Sequence, residues 1–483
     1  MKFSNTYVGL GERFYDKSQP TAVRSPKLLL WNTRLANQLN IPQELQQDAE
    51  SLAQYFSGNQ LLAGAEPIAT AYAGHQFGSF NPQLGDGRAH LLGELLDDDG
   101  KRWDLQLKGS GVSAYSRAGD GRCAIGPAVR EFIMSESMKA LGVPTTECLA
   151  VVTTGETVYR QQASPGAVVT RVASSHIRVG SFQFFASKGD VESLTALRDY
   201  AIARHFPEIK QQAANHSVAL VDKVIEKQIQ LVVAWMRVGF IHGVMNTDNT
   251  AISGDTIDYG PCAMMGAYDP QTVYSSIDRN GRYAFGNQPN IVNWNMARFA
   301  ESLLVLHPED KEVLAQMQGL ITDFPERFQQ AYSRMMADKL GLQNLQQGDD
   351  ALIALFLARM AELKLDYTKT FDSLTKSLTD TKVQATIAAD LGPCYQQWQQ
   401  RVATQTTSAQ ELQAAMRKSN PVVIPRNHHV EAVLAACEES GEATTALDFL
   451  AVLRHPYEET EQSAHYQSDD SGFDQGYQTF CGT

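Results

Sequence analysis

Cysteine is scarce in this sequence: Cys123, Cys148, Cys262, Cys394, Cys437 and Cys481 are all there are in 483 residues. No two of them stand in C-x-x-C spacing, which argues against a zinc ribbon or a dense disulfide framework. Long apolar runs are missing as well. No uninterrupted stretch approaches the ~18 residues that a membrane-spanning helix needs. The N-terminus, MKFSNTYVGLGERFYDK, has neither the apolar core of a signal peptide nor the Arg-rich face of a presequence. The expectation is therefore no membrane contact and a cytoplasmic location. Positive charge is in deficit, with 41 Lys and Arg against 54 Asp and Glu and a net charge of −13. Gripping a phosphodiester backbone takes clustered Lys and Arg, so no nucleic-acid partner is expected. Internal repeats and low-complexity linkers are also absent.

What is present is ordinary globular composition over a length that implies two or three packed units. Residues 1–65 are mixed, with helical pieces such as LLLWNTRLANQLN, and form an N-terminal extension. Residues 66–175 are richer in glycine and carry short apolar stretches: HLLGELL, RWDLQLK, LAVVTT, TVYRQ and AVVTRVA. These read as strands joined by turns, interrupted by one helix over about Pro127 to Leu141, with Pro127 in its first turn and Gly142 past its end. Residues 176–455 are mainly helical. Val221, Ile225, Ile229, Val232 and Met236 recur at helical spacing and mark one buried stripe, closed by Gly239. Residues 456–483 form a C-terminal tail; its 456–475 portion has six acidic residues and no Lys or Arg, so it reads as solvated. The fold class expected is α+β, a strand-rich unit followed by a helix-rich one.

Four constellations carry chemistry. In LGDGRAHLLGELL, Gly85 and Gly87 flank Asp86 and precede Arg88; such a turn lets backbone approach a ligand and bind phosphate oxygens, but it is also an ordinary turn. In WDLQLKGSG, Lys108 ends an apolar strand and needs an anionic partner, for which Glu131 in the following helix is the candidate. FIHGVMNTDNTAISGDTIDYGP, residues 240–261, packs one His, two Asn and three Asp behind the apolar helix. His242 precedes Asn249 by seven residues, and a strand-like TAISGDTI leads to Asp258-Tyr259-Gly260. Asn249 and Asp258 offer oxygen ligands suited to Mg²⁺. Finally, Arg171 and Arg178 bracket His176 in VVTRVASSHIRVGSF and can fork onto phosphate, while Asp120 and Gly121 sit in a second Gly-Asp turn that could meet a base or ribose. His428-His429 lacks a third ligand nearby and reads as structural; His75 is ambiguous.

A glycine turn, a strand Lys, a helix Glu, a His-to-Asn interval of seven and a D-x-G resemble, in that order, the nucleotide-handling apparatus of protein kinases. One position departs. Val244 stands two residues after His242, where a kinase has its catalytic Asp, and valine cannot accept a proton. Asp248 has appeared instead beside Asn249. The nucleotide apparatus is kept and the usual base is lost.

Longer matches are more specific. AGHQFGSFNPQLGDGRAHLLGE, QLKGSGVSAYSRAGDGR, VREF, HGVMNTDN, IDYGP and the tail FCGT closely resemble the selenoprotein O family over nearly the whole chain. That resemblance implies a protein-kinase-like fold with a strand-rich N-lobe, a helical C-lobe and helical extensions at both ends. It implies transfer of AMP from ATP to Ser, Thr or Tyr hydroxyls of protein substrates, with the nucleotide reversed so that its α-phosphate is presented. UMP transfer from UTP with Mn²⁺ is implied for bacterial members. It assigns Gly85, Gly87, Arg88, Lys108, Asp120, Gly121, Arg171 and Arg178 to nucleotide binding, Glu131 to pairing with Lys108, and Asp248 to accepting the proton. Asn249 and Asp258 become the ligands of Mg²⁺ or Mn²⁺. Some family members pair the terminal Cys with one in the activation-segment region, yet MMGAYDPQTVYSSIDRNGRYAF has none; Cys262 is the nearest candidate, and whether Cys481 pairs with it, with a substrate or with nothing stays open. The competing readings are a non-catalytic nucleotide-binding pseudokinase scaffold and, disfavoured by Val244, a true protein kinase.

Overall fold

A computed structural model describes residues 2–160, 162–468 and 472–480. The strands in chain order are β1 (Tyr15–Lys17), β2 (Lys27–Trp31), β3 (Ile68–Thr70), β4 (Gly74–Gln76), β5 (Ser79–Asn81), β6 (Ala89–Leu96), β7 (Arg102–Lys108), β8 (Cys123–Ala124), β9 (Glu147–Tyr159), β10 (Ala163–Ala173), β11 (Phe240–Ile241) and β12 (Ala263–Met264). Among the described residues, one antiparallel sheet runs in the order β1-β3-β6-β7-β10-β9-β2, with β8 added on β10. The alternation of side chains along β7 and β10 divides the sheet into two faces. Leu105, Leu107, Val168 and Val172 pack on the helices Thr33–Gln38 and Ala49–Ser57 through Leu35, Leu52 and Phe56. Val169 and Ala167 face the opposite way, toward Val129, Phe132 and Ile133 of the helix Ile125–Ala140. The register sets Lys108 against Val169 and Arg171 against Gln106. Lys108 and Arg171 therefore emerge on the face that meets this helix.

The rest of the chain is predominantly helical, and the stripe Val221, Ile225, Ile229, Val232 and Met236 is buried in the helix His216–Val238. Gly239 ends that helix in the left-handed conformation, φ +77°. The chain thereby turns sharply into the 240–261 segment, whose edges are tied by β11 pairing with β12. The helices Asn427–Ser440 and Thr444–Leu453 return to pack beside the helix Ile125–Ala140, sharing its hydrophobic core through Val430, Leu434 and Phe449. Among the described residues no helix is long and apolar enough to cross a membrane.

Four expectations need correction. The LLLW of the N-terminal extension is strand β2, paired with β9, and the helix begins only at Thr33. Asn32 separates them, its side chain capping the helix by accepting from the Leu35 amide. The extension thus contributes β1 and β2 to the main sheet. LAVVTT and the TVY of the second stretch are one strand ending at Tyr159, because β10 runs antiparallel along both with a register shift between Pro165 and Ala167. TAISGDTI makes only isolated bridges, Arg178 with Ala251 and Thr145 with Thr256. The acidic tail is docked as well as solvated. It forms a helix over Glu461–Tyr466, Asn427 donates to Asp474 at 2.9 Å, and Tyr477 bonds Glu431, which also pairs with Arg130. The partners are polar groups on the body, which a scan for apolar periodicity does not register. Cys481 lies outside the described residues.

Candidate active site

A cavity of about 770 Å³ opens where the loops after β5, β7 and β11 converge. Gly85, Gly87, Arg88, Lys108, Asp120, Gly121, Arg171, Arg178, Asp248, Asn249 and Asp258 all line it. Residues singled out from five separate stretches thus share one space. Glu131 does not line the wall; it lies buried behind Lys108.

Lys108, Arg171 and Asp258 on the wall and Glu131 behind it form a quartet of two cations and two carboxylates. Lys108 Nζ donates to Glu131 Oε2 at 2.8 Å and to Asp258 Oδ1 at 2.9 Å. Arg171 donates through Nε to Glu131 Oε1 and through Nη2 to Asp258 Oδ1, the latter at 3.1 Å. Each carboxylate therefore bridges both cations, which makes burial of the four charges tolerable. Burial pushes the Glu131 carboxyl up, but Arg171 and Lys108 outweigh it and hold it below the usual range. Burial likewise opposes ionisation of Asp258, and Lys108 and Arg171 again prevail, keeping that carboxyl far below its ordinary value. Asp258 adopts φ +66°, a left-handed conformation that costs a non-glycine residue on the order of 1–3 kcal/mol.

Arg178 is anchored by a residue that sequence reasoning passed over. Its Nη2 reaches Asp86 Oδ1 at 3.3 Å, its Nη1 donates to the Asp248 carbonyl at 3.1 Å, and its guanidinium lies over the Tyr72 ring at 4.4 Å. Asp86 is itself buried and accepts from Thr70 and Gln106. The glycines of the two Gly-Asp turns serve packing as well as ligand approach. A Cβ on Gly85, at φ +78°, would fall 2.1 Å from the Tyr115 ring, and one on Gly121, at φ +66°, 2.0 Å from the Gly111 carbonyl oxygen. Asp120 is held by Arg160 in a two-pronged pair at 2.9 and 2.8 Å, so its carboxylate is already engaged where a sugar contact was expected.

The segment 240–261 forms the opposite wall. His242 is buried, with Nε2 3.0 Å from the Ile257 carbonyl oxygen, and supports the loop rather than facing the cavity. Val244 lines the cavity and offers it no proton acceptor. Asp248 is nearly buried; Gln76 donates to its Oδ2 at 3.2 Å while Oδ1 has no hydrogen-bond partner among the described residues. Burial pushes its carboxyl up to about 6. That suits a group that must exchange a proton near neutral pH.

Asn249 and Asp258 fit a hard divalent cation. Asn249 uses Nδ2 to donate to the Val244 carbonyl at 3.1 Å, and its Oδ1 accepts no hydrogen bond from the described residues. Asp258 Oδ1 takes both cations, and its Oδ2 accepts none among the described residues. Two oxygens on the wall of one cavity are thus available, as Mg²⁺ or Mn²⁺ prefers when further ligands come from phosphate and water. No cluster of three or more His, Cys, Asp or Glu able to hold a metal occurs among the described residues.

Seven Lys and Arg side chains line this space against four Asp, in a chain that is acidic overall. Such a cavity concentrates positive potential and selects an anionic, phosphate-bearing ligand. Besides Asp86, the residues missed were Gln76, Asn246 and Arg160. Only Asp86 carried a signal, as the charged centre of its Gly-Asp-Gly turn.

Comparison with known proteins agrees. A sequence profile of the family described as protein adenylyltransferase SelO matches residues 1–454. The protein nucleotidyltransferase YdiU of Teredinibacter turnerae is 50% identical over 485 residues, covering all of both chains. Its counterpart in Pseudoalteromonas translucida is 51% identical over 484 residues, again covering both fully. That of Geobacillus kaustophilus is 50% identical, covering this chain fully and 99% of its own length. The fold and site define a phosphate-handling enzyme of the nucleotidyltransferase class. The chain belongs to the SelO family.

Proposed function

We propose that this protein transfers AMP from ATP to Ser, Thr or Tyr hydroxyls of other proteins and releases pyrophosphate. The observation that carries this reading is the convergence of Lys108, Arg171, Arg178, Asn249 and Asp258 on one cationic cavity beside a carboxylate of raised pKa. The relatives that match end to end are named protein nucleotidyltransferases, which supports proteins as acceptors. We read residues 66–175 and 176–455 as the N-lobe and C-lobe of a protein-kinase-like fold, flanked by the extensions 1–65 and 456–483. The Lys108–Glu131 pair between strand and helix, with Asn249 and Asp258 across the cavity, supports that reading.

The acceptor oxygen attacks the α-phosphorus, the α–β phosphoanhydride bond breaks, and pyrophosphate leaves with the bonding electrons. Asp248 takes the hydroxyl proton. Arg178, Arg88, Lys108 and Arg171 neutralise phosphate charge as it builds on the leaving group. Asn249 and Asp258 would hold a divalent cation, which would supply further charge neutralisation at the triphosphate. Transfers of this kind depend chiefly on positioning and electrostatics, and this wall provides both.

Incubating the protein with ATP labelled at the α- or the γ-phosphate tests the reading. Label on protein from the α position alone is the expected result. Label from the γ position identifies a kinase, and label from neither identifies a non-catalytic scaffold. UTP labelled at the α-phosphate, with Mn²⁺ and with Mg²⁺, decides whether UMP is a second transferred group.

A further inference from the structure

The hairpin β4–β5 is pinned to the loop that carries Asp248. The His75 amide donates to Thr247 Oγ1 at 2.7 Å, the Phe77 amide to Asn246 Oδ1 at 3.1 Å, and Gln76 to Asp248. A Cβ on Gly74 would lie 2.5 Å from Asp248 Oδ1, so the strand packs directly on the proposed proton acceptor. The hairpin turn is two residues long, Phe77 and Gly78, with φ of +51° and +88°. Both central residues of such a turn sit at positive φ, which favours Asn, Asp or Gly at the first position. A phenylalanine there is strained, and its ring is 36% exposed on the cavity wall. Ile277 lines the same cavity and is 49% exposed, while Phe80, in tilted ring contact with His75, is 42% exposed. Phe77 packs one side against the buried Tyr283 ring, centroids 5.1 Å apart, and leaves the rest of itself exposed at this mouth.

A cation accompanies these apolar groups. Arg282 lies 4.8 Å from the Trp294 ring and packs against Gly78 at the turn. No carboxylate of the described residues pairs with its guanidinium, and its Nε is buried without a hydrogen bond. Asp278, the nearest acid in sequence, instead accepts the backbone amides of Arg282 and Tyr283 at 2.9 and 2.7 Å. An Arg with no carboxylate partner among the described residues, beside exposed apolar side chains, is complementary to an acidic side chain flanked by an apolar one.

We propose that the hairpin turn at Phe77, with Ile277 and Arg282, is the docking surface for the acceptor protein. It takes a segment that presents an acidic and an apolar side chain close to its Ser, Thr or Tyr. This inference rests on the transfer reading above and names the substrate class. The acidic side chain pairs with Arg282, the apolar one rests on Phe77 and Ile277, and the hydroxyl is thereby delivered to Asp248.

The test uses the full chain loaded with α,β-methylene-ATP and three fluorescent peptides of equal length around one hydroxyl residue. One has acidic and apolar flanks, one has Lys in place of the acids, and one has Gly flanks. Binding is read by anisotropy, and transfer in parallel with α-labelled ATP. Wild type is expected to favour the acidic peptide over the Lys peptide at least tenfold. Arg282→Glu is expected to abolish or invert that preference. Phe77→Asn suits the turn, so it should melt no lower than wild type, bind ATP within twofold, and lose at least fivefold in affinity for the acidic peptide. The proposal is overturned if no peptide binds, if wild type shows no charge preference, or if Arg282→Glu leaves the preference intact. It is also overturned if Phe77→Asn weakens ATP and peptide equally, which would make the turn part of the nucleotide wall. Acidic preference in binding with no transfer would sustain the surface and refute AMP transfer. Transfer without flank preference would do the reverse.

Discussion

Replacing Glu131 by Gln tests the charge balance behind the cavity. Glu131 is buried and never meets the solvent of the cavity, yet it accepts from both Lys108 and Arg171. Gln keeps the shape and one acceptor oxygen but presents an amide NH2 to the other cation. Two buried cations then share Asp258 alone, and Asp258 is 23% exposed. Breaking a buried ion pair by removing one partner costs about 3–5 kcal/mol. Unfolding entropy of about 2.1 cal/mol/K per residue, over 483 residues, comes to about 1 kcal/mol/K. The melting temperature should therefore fall by about 3–5 °C. The pH dependence has a definite sign. The folded-state pKa of Glu131 is depressed, so its contribution is complete above the ordinary value of 4.5 and is lost as pH falls through the depressed one. The gap between wild type and Glu131→Gln should be full at pH 7.5 and should narrow below about pH 4.5. ATP brings anionic oxygens to the two under-compensated cations, so it should raise the melting temperature of the variant more than that of wild type. Differential scanning calorimetry with and without ATP at the two pH values reads all of this. A variant that melts within a degree of wild type at pH 7.5, with the same ATP shift, would refute the claim that Glu131 balances these cations.

Three further outcomes follow from the same geometry. Asp258→Ala should lose more transfer activity than Asp248→Ala, because it removes a cation ligand and the partner of Lys108 and Arg171, whereas a general base contributes about 10²–10⁴-fold; equal or reversed losses at saturating Mg²⁺ contradict the ranking. Gly74→Ala would press a methyl group onto Asp248, so kcat should drop by about tenfold or more while ATP affinity, followed by calorimetric titration, stays within about twofold. Arg178→Lys keeps the charge but loses the fork that reaches Asp86 and the Asp248 carbonyl together, and ATP affinity should fall by about tenfold, measured in the same titration.

Local pattern made much of this protein legible. Helical spacing located the stripe buried in His216–Val238, and the residues that end that helix marked the start of the acidic segment. Lys108 could be flagged because a charge at the end of an apolar strand demands a partner, and Glu131 was within reach along the next helix. What local pattern could not supply was register. Strand alternation says that Lys108 and Arg171 each point to one face of their own strand. Only the pairing of β7 with β10 says that the faces coincide, and that pairing is a tertiary fact. Asp86 shows the same limit from the other side. Within Gly-Asp-Gly it looks like a solvated turn acid, and it becomes the anchor of Arg178 only because residues 92 positions apart are folded together. The hairpin at Phe77 is the most instructive case. Nothing in AGHQFGSF announces a two-residue turn, since Phe is a poor occupant of its first position. The turn forms because its backbone amides and Gln76 are held by Asn246, Thr247 and Asp248, so the loop carrying the proposed proton acceptor also dictates the conformation of the proposed docking surface. Propensity is overruled here by contacts with the proposed reaction centre, and such an override is where acceptor selection and chemistry can be built from the same few residues.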